Sequence, residues 1–227
     1  MLRVFIGYDD RQPVAYNVLQ FSIATRSTQP VAVAPLIIGQ LPLKRQGLTP
    51  FSFSRFLVPW LCDYQGTALF LDIDMLVLGD IAELFAMMDD SAVMVSKNRL
   101  TIEWASVMLF NCGHPDNRRL TPDFIETAEQ LHSISWTDKI GELPAEWNHL
   151  VMYDEPKPAK LVHYTAGIPC FPETKDLGYA AEWMAELKTA MAAKSWHTLM
   201  AKSFHAKPVL DRLKLAGANI PQPGQRS

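Results

Sequence analysis

Residues 68–81 read Ala68-Leu69-Phe70-Leu71-Asp72-Ile73-Asp74-Met75-Leu76-Val77-Leu78-Gly79-Asp80-Ile81. The apolar run before Asp72 predicts a core strand, and Met75 to Leu78 predicts that the chain stays extended beyond the two acids. Alternate side chains of an extended chain point to the same side, so Asp72 and Asp74 share a face and can meet one cation. Two carboxylates at a buried strand end repel each other, and without a cation one pKa must rise. A hard divalent ion with oxygen ligands removes that conflict. In the competing reading Asp72 caps a turn and Asp74 bonds loop amides, but two acids are costly to keep there without a role.

Working upstream, Arg3 to Gly7 predicts a first strand. After a loop containing Pro13, Val14 to Ala24 predicts a helix, with Val14, Val18, Phe21 and Ile23 at helical spacing. Val31 to Ile38 reads as a second strand and Phe53 to Tyr64 as a helix. Downstream, Ile81 to Met88 reads as a helix capped by Asp80. Ala92 to Ser96 and Ser106 to Asn111 read as strands, Pro122 to Leu131 as a helix, and Leu161 to Tyr164 as a late strand. Alternating strands and helices predict an α/β fold with a mixed, mainly parallel sheet flanked by helices, which binds ligands beyond the carboxyl ends of its strands. From Lys175 onward only helices are expected, over Gly178 to Met191, Ser195 to Phe204 and Val209 to Leu215. The chain thus divides into an α/β domain, 1–174, and a C-terminal helical extension, 175–227.

The chain has 227 residues, 48% of them hydrophobic, enough to bury one good core. A net charge of -3 without a long Lys/Arg run provides no electrostatic footprint for nucleic acid. Cys62, Cys112 and Cys170 lack the spacing of a zinc site and read as free thiols in a reducing compartment. The opening Met1 to Gly7 is too short for a signal sequence, and no apolar run approaches the roughly 20 residues of a spanning helix. A soluble, cytoplasmic protein is expected. Lys188, Lys194, Lys202, Lys207, Arg212 and Lys214 lie among apolar tail residues, a pattern that fits peripheral contact with the inner membrane surface. A cover for the sheet edge or a dimer contact is the favoured reading of the same pattern.

Four segments, in order, carry a resemblance: Phe5-Ile6-Gly7-Tyr8-Asp9; Phe53-Ser54-Arg55-Phe56; the Asp72-Ile73-Asp74 motif with Gly79-Asp80-Ile81-Ala82-Glu83-Leu84-Phe85; and His163-Tyr164-Thr165-Ala166-Gly167. Together they resemble glycosyltransferases of the GT-A fold, in particular family 8, which includes glycogenin, bacterial lipopolysaccharide galactosyltransferases and shorter bacterial relatives. The resemblance implies transfer of a hexose from a nucleotide-diphosphate sugar, most commonly a UDP-sugar, to a glycan, lipid or other acceptor. It implies a metal held by Asp72, Asp74 and His163, with Asp72 also contacting the ribose. Gly7, Tyr8 and Asp9 would hold the base, Arg55 would face the diphosphate or donor sugar, and Gly167 would let backbone amides approach phosphate. The histidine, a borderline ligand, suits manganese better than magnesium.

The chain also departs from the family pattern. Where an Asn-x-Gly handles the donor sugar, the chain has Glu103-Trp104-Ala105-Ser106-Val107, leaving Asn111 at the far end of that strand as the available amide. The family's Asp-Gln-Asp-x-x-Asn segment, which bears the amide facing the reacting sugar in retaining members, becomes Leu143-Pro144-Ala145-Glu146-Trp147-Asn148. Retention of configuration, implied by the family, is therefore open. No lysine follows Gly167 at the family's position, so Arg55 or an amide must carry more of the diphosphate contact. Glu103, Asp138, Glu142 and Glu146 are candidate acids for activating the acceptor or contacting sugar, and Glu146 is the catalytic choice. Trp104, Ser106, Trp147 and Asn148 join Asn111 as substrate-binding candidates, the tryptophans as flat platforms for a pyranose. Two other functions fit parts of the sequence: an inactive relative that binds nucleotide or carbohydrate, and a phosphatase with Asp72 as nucleophile.

Overall fold

The computed structural model describes residues 1–97, 100–192 and 206–217. Strand β1, Leu2–Gly7, buries Leu2, Val4 and Ile6 in alternation. Helix α1, Pro13–Arg26, begins with Pro at its first position, where a missing N–H costs nothing, and buries Ala15, Val18, Leu19, Ser22 and Ile23 along one face. Strand β2, Val31–Leu36, returns parallel to β1, and Pro35 is tolerated because β2 lies at the sheet edge.

Strand β3, Thr67–Leu71, lies beside β1 in parallel, and β6, Val107–Asn111, runs antiparallel on its other side. Beyond β6 lie β5, Val93–Val95, and β7, Ile140–Glu142, giving a six-stranded sheet ordered β2-β1-β3-β6-β5-β7. After Leu71 the chain leaves this sheet. Strand β4, Met75–Val77, belongs to a second, three-stranded sheet with β9, Leu161–His163, and β8, His149–Leu150. Asp72 and Asp74 therefore occupy the crossing between the two sheets.

Helix α3, Ile81–Ala86, is capped by Asp80, whose carboxylate accepts the Ala82 N–H at 2.9 Å. The helix expected over 53–64 is shorter than the sequence suggests. A 3₁₀ turn, Ser54–Leu57, leads into α2, Val58–Leu61, and the left-handed conformation of Asp63 and Tyr64 stops it. Helix α4, Pro122–Thr127, also ends earlier than its expected limit at Leu131. Arg45 Nη1 takes the Ile125 and Ala128 carbonyls at 2.7 and 2.6 Å, and Gln130 turns left-handed. Strands β7 and β8, three and two residues long, are too short for a periodic signal.

Helix α5, Ala180–Ala190, packs on α1, with Trp183 fully buried and Glu186 paired to Arg26 at 2.6 Å. The compact unit accordingly spans Met1–Ala190, taking in a helix that the sequence alone assigned to the C-terminal extension. In the second unit, α6, Ala206–Leu215, carries an Lys207–Asp211 ion pair at 2.9 Å. The helix expected over Ser195 to Phe204 lies outside the described residues. Among the described residues no helix is long and apolar enough to cross a membrane.

Candidate functional site

Register brings the distant parts of the site together. In the antiparallel pairing of β4 with β9, His163 lies opposite Met75, and the Tyr164 N–H bonds the Asp74 carbonyl at 2.9 Å. Asp74 and His163 are neighbours through this ladder. Ligand atoms of Asp72, Asp74 and His163 all lie within 4.8 Å of one another. His163 Nε2 is 3.4 Å from Asp74 Oδ1, and its Nδ1 is 3.6 Å from Glu103 Oε2.

Arg55 reaches the same point from the turn before α2. Its Nη2 lies 2.9 Å from Asp72 Oδ1, its Nη1 donates to the Ala105 carbonyl at 2.6 Å, and its guanidinium lies over the Phe70 ring. The ion pair is buried on both sides.

Electrostatics follow from this burial. Desolvation, joined by the Asp74 charge and opposed by Arg55, leaves the Asp72 carboxyl raised to about 7. Burial disfavours the charged form of His163, but Asp74, Asp72 and Glu103 outweigh burial and raise its pKa. Asp74 Oδ1 and His163 Nδ1 are buried without a hydrogen-bond partner among the described groups, and Asp72 Oδ1 has only its ion pair with Arg55. Two carboxylates and one imidazole within 4.8 Å of one another, with Asp74 Oδ1 lacking a hydrogen bond, form a donor set that fits a divalent cation.

The raised carboxyl makes a testable difference to stability. Between about pH 4 and 7 the folded state keeps a proton on Asp72 that the unfolded chain has lost, so stability from this group falls as pH rises through that window. In chelator, wild type should lose stability relative to Asp72→Asn as pH is raised from 4 to 7, measured by urea unfolding. A constant difference between the two proteins would contradict this environment for Asp72.

These groups line a cavity of about 300 Å³, together with Phe51, Phe53, His132, Thr165 and the 47–49 segment. His132 and the aromatic wall are the parts that sequence reasoning missed. Burial and the Arg55 charge lower His132 to about 4, so it is neutral near pH 7. Its ring meets Phe53 and Phe56 edge-on. A second cavity of about 570 Å³ shares Gly47, Leu48 and Thr49 with the first and is lined by Arg11, Lys44 and Arg45.

The remaining candidates divide. Gly7 ends β1 against the Phe51 ring, which lies 2.5 Å from where a Cβ would stand, so no larger residue fits without a shift. Tyr8 packs edge-on against Tyr16. Asp9 is buried and paired with Arg11 at 2.6 Å. Gly167 has φ +113°, and its N–H donates to the Tyr164 carbonyl at 2.8 Å, which occupies that amide. Trp104 is half-buried against the core. Ser106 and Asn148 are buried beneath the site, with Asn148 Nδ2 3.0 Å from Ser106 Oγ.

Three candidates are held elsewhere. Asn111 is paired with Thr67 at one end of the β3–β6 ladder, whereas Val107, at the site end, is paired with Leu71. Trp147 is fully buried and presents no platform. Glu146 pairs with Lys160 at 3.0 Å, and that lysine also holds Glu83 at 2.6 Å. Of the candidate acids Glu103, Asp138, Glu142 and Glu146, Glu103 is the one that lines the cavity.

With this geometry, the chain is similar to several known proteins. Protein CDI of Arabidopsis thaliana is 38% identical, the match covering 82% of this chain and 86% of that protein. Among solved structures, the galactosyltransferase LgtC, in complex with donor and acceptor sugar analogues, superposes with a TM-score of 0.64 at 13% identity, over 86% of this chain and 98% of LgtC. The bifunctional glycosyltransferase WbbM gives 0.63 at 13% identity over 93% of this chain, which spans about half (51%) of WbbM. GlyE of Streptococcus pneumoniae TIGR4 gives 0.61 at 15% identity, over 99% of this chain and 67% of GlyE. No protein-family model matches the chain. The structural likeness establishes the GT-A fold.

Proposed function

The chain belongs to the family of Arabidopsis thaliana Protein CDI and has the GT-A fold, and from that premise we propose that it is a metal-dependent glycosyltransferase using a nucleotide-diphosphate sugar, preferentially a UDP-hexose. The observation that carries this reading is the convergence of Asp72, Asp74, His163 and Arg55 on one cavity at the carboxyl end of β3. Asp72, Asp74 and His163 would hold a divalent ion, manganese by the chemistry of the donor set. When bound, that ion supplies Lewis-acid stabilisation of charge on the departing diphosphate.

The chain's own residues do the rest. Arg55, fixed by the Ala105 carbonyl and Asp72, keeps a buried positive charge beside the carboxylates, where it can meet negative charge as the anomeric bond breaks. Phe51 and Phe53 give the cavity an apolar wall that limits water around the reacting groups. Neutral His132 adds a hydrogen-bonding edge for sugar hydroxyls without adding a second cation. The adjoining cavity, rimmed by Arg11 and Lys44, suits the remainder of a polyanionic donor.

The phosphatase alternative lacks support, because Asp72 is ion-paired with Arg55 at the end of β3 in a GT-A fold. The test is a panel of UDP- and GDP-sugars with manganese, monitored for released nucleoside diphosphate. Release from at least one donor, lost in EDTA, is the expected result. Nucleotide binding without release from any donor, in the presence of a broad acceptor mixture, would instead favour an inactive relative.

A further inference from the structure

We infer that Glu103 is a positioning residue that orients His163 for the metal through the second ring nitrogen, a role that rests on the metal site proposed above. The His163 ring lies between two carboxylates, with Nε2 3.4 Å from Asp74 Oδ1 and Nδ1 3.6 Å from Glu103 Oε2. Nδ1 is buried and makes no hydrogen bond to another described group. At 3.6 Å the Glu103 contact is an ion pair just beyond hydrogen-bond range, and a shift of about 0.6 Å would close it.

A ligating histidine usually donates its other N–H to a carboxylate, carbonyl or water, which fixes the ring and raises its basicity as a ligand. Glu103 provides that acceptor. It lies outside the close group formed by Asp72, Asp74 and His163, so its action runs through the imidazole.

The backbone beneath Glu103 is built to hold it there. Its carbonyl accepts Ser106 Oγ at 2.5 Å and Asn148 Nδ2 at 3.1 Å, and Asn148 Nδ2 also bonds Ser106 Oγ at 3.0 Å. Its N–H donates to the Leu100 carbonyl at 2.8 Å, and Arg55 grips Ala105 in the same turn. Ser106 and Asn148 thus act one step further out, by fixing the turn that carries Glu103. The carboxylate itself, 21% exposed, leans into the cavity.

The experiment measures binding of Mn²⁺ alone, from the electron paramagnetic resonance signal of the free ion. It compares wild type, Glu103→Ala, Glu103→Gln and Asp74→Ala, and follows thermal unfolding of each in EDTA. Glu103→Ala should bind manganese about 10–100-fold more weakly. Glu103→Gln should fall between it and wild type, because the amide oxygen still accepts the Nδ1–H without the charge. Unfolding in EDTA should be unchanged by either Glu103 substitution.

Wild-type affinity in Glu103→Ala would overturn the positioning role. Loss as complete as in Asp74→Ala would make Glu103 a ligand and also overturn it. A drop in EDTA stability that Gln fails to rescue would make the role merely structural. If wild type itself takes up no manganese, the proposed metal site fails and this inference with it. That result is distinct, because it appears before any variant is compared.

Discussion

Replacing Asp74 by alanine is expected to abolish metal-dependent nucleotide binding while leaving a folded protein. Asp74 supplies one of the two carboxylates that group with His163 as candidate ligands, and its Oδ1 is buried without a hydrogen bond. Without it, one oxygen and one nitrogen remain, too few to compete with water for a hard ion. The fold should survive because the Asp74 backbone, not its side chain, bonds Tyr164, and that bond is independent of side-chain identity. Removing one of two repelling acids also relieves the pressure on Asp72, whose pKa Asp74 raises. The check is calorimetric titration of UDP with manganese present, where affinity should fall by about two orders of magnitude or more, as removal of a direct ligand must exceed the 10–100-fold cost of an outer-shell change. Binding within a few-fold of wild type would contradict the assignment.

Replacing Arg55 by alanine should have the largest effect on stability. The guanidinium is buried, bonded to the Ala105 carbonyl and ion-paired with Asp72. Removing one partner leaves a buried carboxylate uncompensated, which typically costs about 3–5 kcal/mol. The sign with pH is fixed: Asp72 is neutral well below its raised pKa and charged above it, so the loss should be greater at pH 8 than at pH 5. Adding Asp72→Asn to Arg55→Ala should recover part of the loss, because the uncompensated charge is gone. Urea unfolding of the two single variants and the double variant measures this coupling. Additive losses would show that the two residues do not act as a pair. Lysine should restore little, since it cannot reproduce the fork that reaches Ala105 and Asp72 together.

The central strand and its two acids were legible because their signals are local. An apolar run followed by acids at a spacing of two needs nothing beyond the alternation of an extended chain. The link from Asp74 to His163 was of another kind. It depends on the register of β4 against β9, which no periodicity encodes, and it was accessible only through resemblance of the surrounding motif.

His132 escaped notice because it follows the early end of α4, where Arg45 takes the helix carbonyls and Gln130 turns left-handed. Those events are set by tertiary contacts rather than by propensity. Glu146 and Trp147 were placed at the site by analogy with a family segment. Instead Lys160 claims Glu146, and the core claims Trp147. Asn111 fell on the correct strand but at its distal end, four residues or about 13 Å from Val107. Glu103, three residues before the end of the turn that precedes β6, took the position facing His163.

The most direct measurement of the account is thermal unfolding of the wild-type chain with UDP or GDP, in manganese and in EDTA. Ligand that binds only the folded state raises stability by about 2.7 kcal/mol at one hundred times its dissociation constant. The account predicts that nucleotide and manganese together raise the melting temperature by more than the sum of their separate effects, and that EDTA removes the excess. Equal stabilisation by nucleotide with and without metal, or none in either, would contradict a site in which Asp72, Asp74 and His163 hold the ion that holds the diphosphate.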